Sequence, residues 1–300
     1  MSPIYVGNRR IIGTQSSDPT GLGASDEGSV YYNSTDDKLR AWDGSAWDDV
    51  GGAVAFAGTD ATHWWKSEGI ASADSWIAER GSVNFAAGGS GSLTYTASDS
   101  DFNSKKSIGQ ISVNQYRYLT ADTGSNGGFW DGSSAFSVIL AFKKTAHIDS
   151  NWGDSLFVQQ RNGSPDGSWA IDIEGDHTWG GQYGETFGRG TYGGFSSFPQ
   201  KGIMCVRCGS GASNSQVLWC PAGSSSWTTL STGSSYPSNI SNFYDAINLF
   251  NITGATHSGH RFEGKICEVA YFKNLRISDT TRDAWKDYIK VKFGFSEGHY

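Results

Sequence analysis

Residues 261–293, RFEGKICEVAYFKNLRISDTTRDAWKDYIKVKF, constrain the fold more than any other stretch, because a strand pattern gives way there to a helix pattern. In an extended chain alternate side chains share a face. Phe262, Gly264, Ile266, Glu268, Ala270 and Phe272 therefore line one side, and Lys265, Cys267, Val269 and Tyr271 the other. Apolar residues on both sides predict a central strand. From Asn274 the period changes. Ser278 can cap a helix, Asp279 and Asp283 suit its positive end, and Trp285, Tyr288, Ile289 and Phe293 recur at helical spacing before Gly294 stops it.

Upstream of that handover the chain reads as short strands joined by tight turns. The candidates are 63–66, 83–85, 92–96, 107–113, 116–120, 136–143, 155–160, 168–174, 202–208, 216–220 and 246–250, with 261–272 as the last. FSVILAFKK, beginning at Phe136, is almost continuously apolar, as a strand packed on both faces should be. Residues 71–80, ASADSWIAER, read as a short helical turn. Forty glycines with 12 Trp, 13 Tyr and 16 Phe favour strands and turns over helices. The expectation is an all-β protein whose main body is two stacked antiparallel sheets. Three hundred residues suffice for one such sandwich and a small appendage, divided here as 1–55 and 56–300.

The formal charge of −7 arises from 23 basic and 30 acidic residues spread along the chain, which offers no positive stripe to phosphates and predicts no nucleic-acid partner. No apolar run is long enough to insert into a membrane, and the opening MSPIYVGNRRIIG lacks an apolar signal core, so a soluble chain without a cleaved signal is expected. Cys205 and Cys208 are spaced C-x-x-C, but in the strand IMCVRC they point to opposite sides, so they and Cys220 and Cys267 read as buried thiols. The six histidines form no hydrolytic set, and neither a G-x-S-x-G elbow nor a phosphate loop is present.

Residues 1–50 differ from the rest. Ile4 and Val6 alternate in a short strand, TQSSDPTGLGASDEG reads as a polar linker, and GSVYYNSTDDKLRAWDGSAWDDV reads as a three-stranded meander turning at 34–37 and at Asp43-Gly44. So small a unit buries little surface, so Tyr31, Tyr32, Trp42 and Trp47 are expected to find a partner surface. The segment YYNSTDDKLRAWDGSAWDDV resembles a short module at the start of many tailed-phage fibre and appendage proteins, YYN-x-T-D-x-x-L-x-x-W-D-G-x-x-W. The resemblance implies a virion protein, assembled in the host cytoplasm. Its contacts with other virion proteins would run through residues 1–50, with Ile4, Val6, Tyr31, Tyr32, Trp42 and Trp47 as the anchoring set. By analogy with fibres it implies a homo-oligomer, a trimer by preference.

FEGKICEVAYFKNLRISD, followed by an amphipathic helix ending in KVKFG, resembles the last strand and closing helix of the concanavalin-like jelly-roll superfamily, in its laminin-G-like branch. The resemblance implies a concanavalin-like β-sandwich with a small N-terminal β-meander anchor and one C-terminal helix. That fold carries lectins, glycosidases and inert modules alike. SWAIDIEGD, residues 168–176, is similar to the catalytic strand of retaining β-glucanases of this superfamily, in which alternate carboxylates attack and protonate the glycosidic bond. Matched one way, Ala170 stands at the position of the nucleophile. With Glu174 taken as nucleophile instead, Asp176 follows but Thr178 stands at the next alternate position, so neither alignment is complete and no catalytic residues are predicted. Asp172, Glu174 and Asp176 could instead supply oxygens to calcium; no other cofactor is implied.

Residues 176–198, DHTWGGQYGETFGRGTYGGFSSF, read as a long recognition loop whose rings alternate with glycine. Trp179, Tyr183 and Tyr192 can stack on sugar C–H faces, and Asp176, His177 and Arg189 can bond hydroxyls. The expected function is a tail fibre, receptor-binding appendage or capsid decoration that contacts host glycans without turnover. A glycan-degrading appendage of the same fold and a purely structural virion cement are the alternatives.

Overall fold

The computed structural model describes residues 4–6, 9–35, 38–50, 56, 58–110, 117–124, 128–129, 134–146, 154–161, 164–173, 177–182, 185–191, 199–209, 215–233, 246–251 and 262–295, with 164–191 described by backbone and register. Two compact units are present, Met1–Ala57 and Gly58–Tyr300.

The first unit is a five-stranded sheet of β1 (Ile4–Val6), β2 (Arg9–Gln15), β3 (Val30–Asn33), β4 (Lys38–Trp42) and β5 (Trp47–Val50), in that order. The three meander strands stand where the aromatic and turn residues put them. Asp43 Oδ1 accepts from the backbone N–H of Ser45 and Ala46 at 2.7 and 2.6 Å, which closes the β4–β5 hairpin. β2 pairs with β3 in parallel, and parallel neighbours need a crossover rather than a tight turn. The stretch expected as a linker is that crossover.

It also covers one face of the sheet. Tyr31 OH donates to Asp18, Arg40 donates to the same carboxylate at 3.0 Å, Trp47 Nε1 donates to Pro19 O at 2.8 Å, and Trp42 Nε1 to Gly23 O at 2.9 Å. The Tyr31 and Trp47 rings meet edge-on at 4.7 Å. Three of the four aromatics expected to need an outside partner are thus engaged within their own unit, because a polar loop can satisfy indole and phenol donors as well as a partner protein can. Tyr32 and Leu39, cross-strand neighbours, remain 38 % and 42 % exposed.

The second unit begins with β6 (His63–Trp65), β7 (Ile70–Ser72), β8 (Ser75–Trp76), β9 (Phe85–Gly88), β10 (Thr94–Asp99), β11 (Lys105–Gln110), β12 (Tyr118–Asp122) and β13 (Phe136–Lys144). It continues with β14 (Asp154–Arg161), β15 (Ser164–Ile173), β16 (His177–Gln182), β17 (Glu185–Thr191), β18 (Gln200–Cys208), β19 (Ser215–Pro221), β20 (Thr228–Gly233), β21 (Ala246–Leu249), β22 (Gly264–Lys273) and the helix α1 (Asp279–Phe293). One sheet runs β10-β11-β22-β13-β18-β19-β20, with β6 also on β22, and the other β17-β16-β15-β14-β21-β12-β9-β8-β7. A single hydrophobic core joins Val138, Leu140, Met204 and Tyr271 of the first sheet to Leu119, Phe157, Ile247 and Leu249 of the second. The unit is a β-sandwich with one C-terminal helix.

β22 is central, paired with β11 and β13, but its faces are not those of strict alternation. Ala141 pairs with Glu268 and Phe142 with Ile266, so Cys267 is the extra residue of a bulge. Ile266 before the bulge and Val269 and Tyr271 after it all enter the core, while Glu268, Ala270 and Phe272 turn away from it. Residues 71–80 are likewise extended rather than helical. β7 and β8 pair Ile70 with Trp76, which buries both, and the helical turn falls just earlier, at Ser67–Gly69.

The outward side of β22 carries α1. Ser278 Oγ caps it by accepting from Thr281 N–H at 3.0 Å, and Gly294 ends it at φ +64°. Trp285, Ile289 and Phe293 are buried, each contributing about 1.5–3 kcal/mol; Trp285 lies edge-on to Trp64 at 5.0 Å and to Phe272 at 5.5 Å. Beneath the helix Glu268 is fully buried. Its Oε1 accepts from Trp64 Nε1 at 2.7 Å and Tyr288 OH at 2.9 Å, and its Oε2 from Ser67 N–H at 3.2 Å and Lys292 Nζ at 2.9 Å. Burial pushes the Glu268 carboxyl up, and Lys292 and the other donors pull it back.

Candidate functional site

The structure turns much of the expected recognition loop into sheet. Residues 177–182 and 185–191 form β16 and β17, the outer hairpin of the nine-stranded sheet. The glycine content suggested a loop, but Thr178, Trp179, Thr186, Phe187 and Thr191 favour extended backbone, and β15 offers an edge to pair with. Asp176, Tyr183, Tyr192 and Glu174 lie outside the described residues. His177 opens β16, opposite Thr191.

Register brings together three candidates that are distant in sequence. Asp172 of β15 pairs with Trp179 of β16, and Trp179 pairs with Arg189 of β17. Asp172, Trp179 and Arg189 thus occupy successive register positions of one cross-strand row. Strands stand about 4.8 Å apart, so the row spans roughly 10 Å. Gly181, two residues beyond Trp179, shares the same side of β16. Among the described residues no cluster of His, Cys, Asp or Glu could hold a metal ion; of the calcium candidates only Asp172 falls within a described strand.

No protein-family model matches the chain. No curated protein is similar to it in sequence at a significant level. Its fold, by contrast, is found among solved structures. A structure of botulinum neurotoxin type C, whose cell entry is dependent upon interaction with two ganglioside molecules, superposes with a TM-score of 0.52 at 10% identity over 77% of this chain and 52% of that one. The binding domain of botulinum neurotoxin DC in complex with rat synaptotagmin II gives 0.51 at 9% identity over 77% and 52%, and that of serotype D gives 0.52 at 8% over 77% and 51%. The chain spans about half the length of these domains. Its body shares a β-sandwich fold with them.

A groove of about 420 Å³ that sequence reasoning missed lies between the start of α1 and the β19–β20 connection. β18 and β19 supply Arg207 and Gln216, the connection Ser225, Ser226 and Trp227, and α1 Asp279, Arg282, Asp283 and Lys286. Trp227 Nε1 donates to Asp283 Oδ1 at 2.7 Å, which fixes the half-buried indole, and the Arg282 guanidinium stands 5.6 Å from its ring centre. Arg207 donates to Asp279 Oδ1 at 2.6 Å, to Ile277 O at 3.2 Å and to Gln216. The Arg207 hydrogen bond holds Asp279 below the usual carboxylate range, and the Arg282 bond does the same for Asp283. The one visible signal was Arg207 itself, a charge inside the apolar strand IMCVRC.

All four cysteines are buried free thiols. Cys208 joins the sandwich core while Cys205 faces the α1 side near Arg207 and Arg282, and burial pushes both thiols up to about 12. They stand on opposite sides of β18, too far out of line to share a metal.

Proposed function

We propose that the chain is a non-catalytic glycan-binding module of a tailed-phage virion appendage. The observation that carries the glycan reading is the Asp172–Trp179–Arg189 row at the edge of the nine-stranded sheet. An aromatic residue with an acidic and a basic residue on either side in register is a residue set suited to a sugar, since rings stack on C–H surface and polar groups bond hydroxyls. The likeness of the body's fold to botulinum neurotoxin type C, whose cell entry is dependent upon interaction with two ganglioside molecules, supports the same reading. The incomplete carboxylate pattern of the glucanase-like strand, with Ala170 at the nucleophile position in one alignment and Thr178 at the last alternate position in the other, supports binding without turnover.

The virion reading rests on the aromatic-and-turn order of residues 31–50 and is supported by the exposed Tyr32–Leu39 pair, which suits apolar docking on other virion proteins. Assembly as a homotrimer would multiply weak single sites into useful avidity. Calcium at Asp172 and its neighbours remains an optional aid to the same edge.

The test is a glycan array read with the whole chain, alongside Trp179→Ala and Arg189→Ala. Retention of host-surface glycans by the wild type, reduced about tenfold in each variant, is the expected result. An array with no wild-type signal overturns the glycan reading, and release of new reducing ends from a bound polysaccharide overturns the non-catalytic one.

A further inference from the structure

We propose that the groove beside α1 is a second site, distinct from the sheet edge, and that it takes a saccharide bearing a carboxylate. Its volume of about 420 Å³ lies within the range of small-ligand pockets. The indole of Trp227 is locked by Asp283, so a sugar face meets a ring already oriented, and little ordering entropy is lost on binding. Ser225, Ser226 and Thr229 add hydroxyls for the remaining polar groups.

The charge of the lining selects the acidic sugar. Arg207, Arg282 and Lys286 line the groove with two carboxylates, Asp279 and Asp283; alongside it Arg276 donates to Gln216 at 3.1 Å and Asp287 lies 3.7 Å from Lys286, so cations stay in excess. The groove is therefore locally cationic in a chain whose net charge is −7. Crowding is visible in Arg276, whose pKa is lowered by burial and by the neighbouring Arg207.

An unmet donor gives a second, independent observation. The Arg207 side chain is only 4% exposed, yet its Nε is buried without an acceptor. A buried guanidinium N–H left unsatisfied is costly, and an acceptor brought into the groove would remove the cost; the excess of cations in the lining is what favours a charged acceptor.

Trigalacturonate and galactotriose, titrated calorimetrically into the whole chain, share a ring and differ at the carboxylate. Trigalacturonate is expected to bind about tenfold or more tighter than galactotriose, and to weaken as salt is raised from about 50 mM to about 300 mM. Trp227→Ala and Lys286→Gln, both at the groove rim, are expected to lose about fivefold or more, with thermal midpoints confirming that each variant is folded. Equal affinity for the two sugars, no binding of either, or undiminished binding in both variants overturns the proposal.

Discussion

His63 shows how one buried side chain sets a pH dependence. It is stacked on Trp65 at 5.6 Å and tilted against Phe129 at 4.9 Å, its Nδ1 buried without a partner, and burial lowers its pKa to about 4, with Lys273 adding to the effect. The unfolded chain takes up this proton near pH 6.5 and the folded chain only near 4, so the folded state loses stability as pH falls between the two. Relative to His63→Phe, the wild type is expected to lose about 3 kcal/mol across that window, read from urea midpoints at both ends. Lys144 acts on the alkaline side. Burial lowers its pKa to about 7, so its contribution to stability rises with pH from about 7 toward the ordinary lysine range. Neither effect was legible in the sequence, since His63 and Lys144 look like ordinary polar residues until the sheets close over them. Glu268 is the opposite case: its place in a central strand was legible, while the face it takes was decided by the bulge at Cys267.

At the scale of elements, α1 is the part most fully written in the sequence, from its Ser278 cap to its Gly294 stop. Ser278→Ala is expected to cost about 1 kcal/mol, and Trp285→Ala about 3–5 kcal/mol, because its indole packs against Trp64 and Phe272 at once. Denaturant unfolding followed by circular dichroism measures both, and equal costs for the two variants would contradict this division between cap and core. The β16–β17 hairpin marks where reading by element fell short. Glycine at every second or third position signals a loop, but pairing against β15 supplies hydrogen bonds that a local rule does not weigh. The groove was hidden for the same reason: Arg207, Trp227 and Asp283 come from three elements, and no spacing relates them.

On the scale of the whole molecule, each of the two units has its own packing, one around Tyr31 and Trp47 and the other in the sandwich core. Residues 58–300 expressed alone are therefore expected to unfold in one cooperative transition and to keep the glycan-array profile of the full chain. Loss of folding on removal of the first unit would refute that independence. Apart from 71–80 and 177–191, the sequence by itself determined which segments extend; it also determined where the helix starts and stops and that the body must be a two-layer β structure, because those outcomes follow from local periodicity, capping and composition. Tertiary structure alone decided that the crossover covers the first unit's aromatics, that a bulge turns Glu268 toward α1, and that Asp172, Trp179 and Arg189 share a row. Each depends on strand register and on which donors find acceptors across large sequence separations, and both are fixed only when the sheets pair.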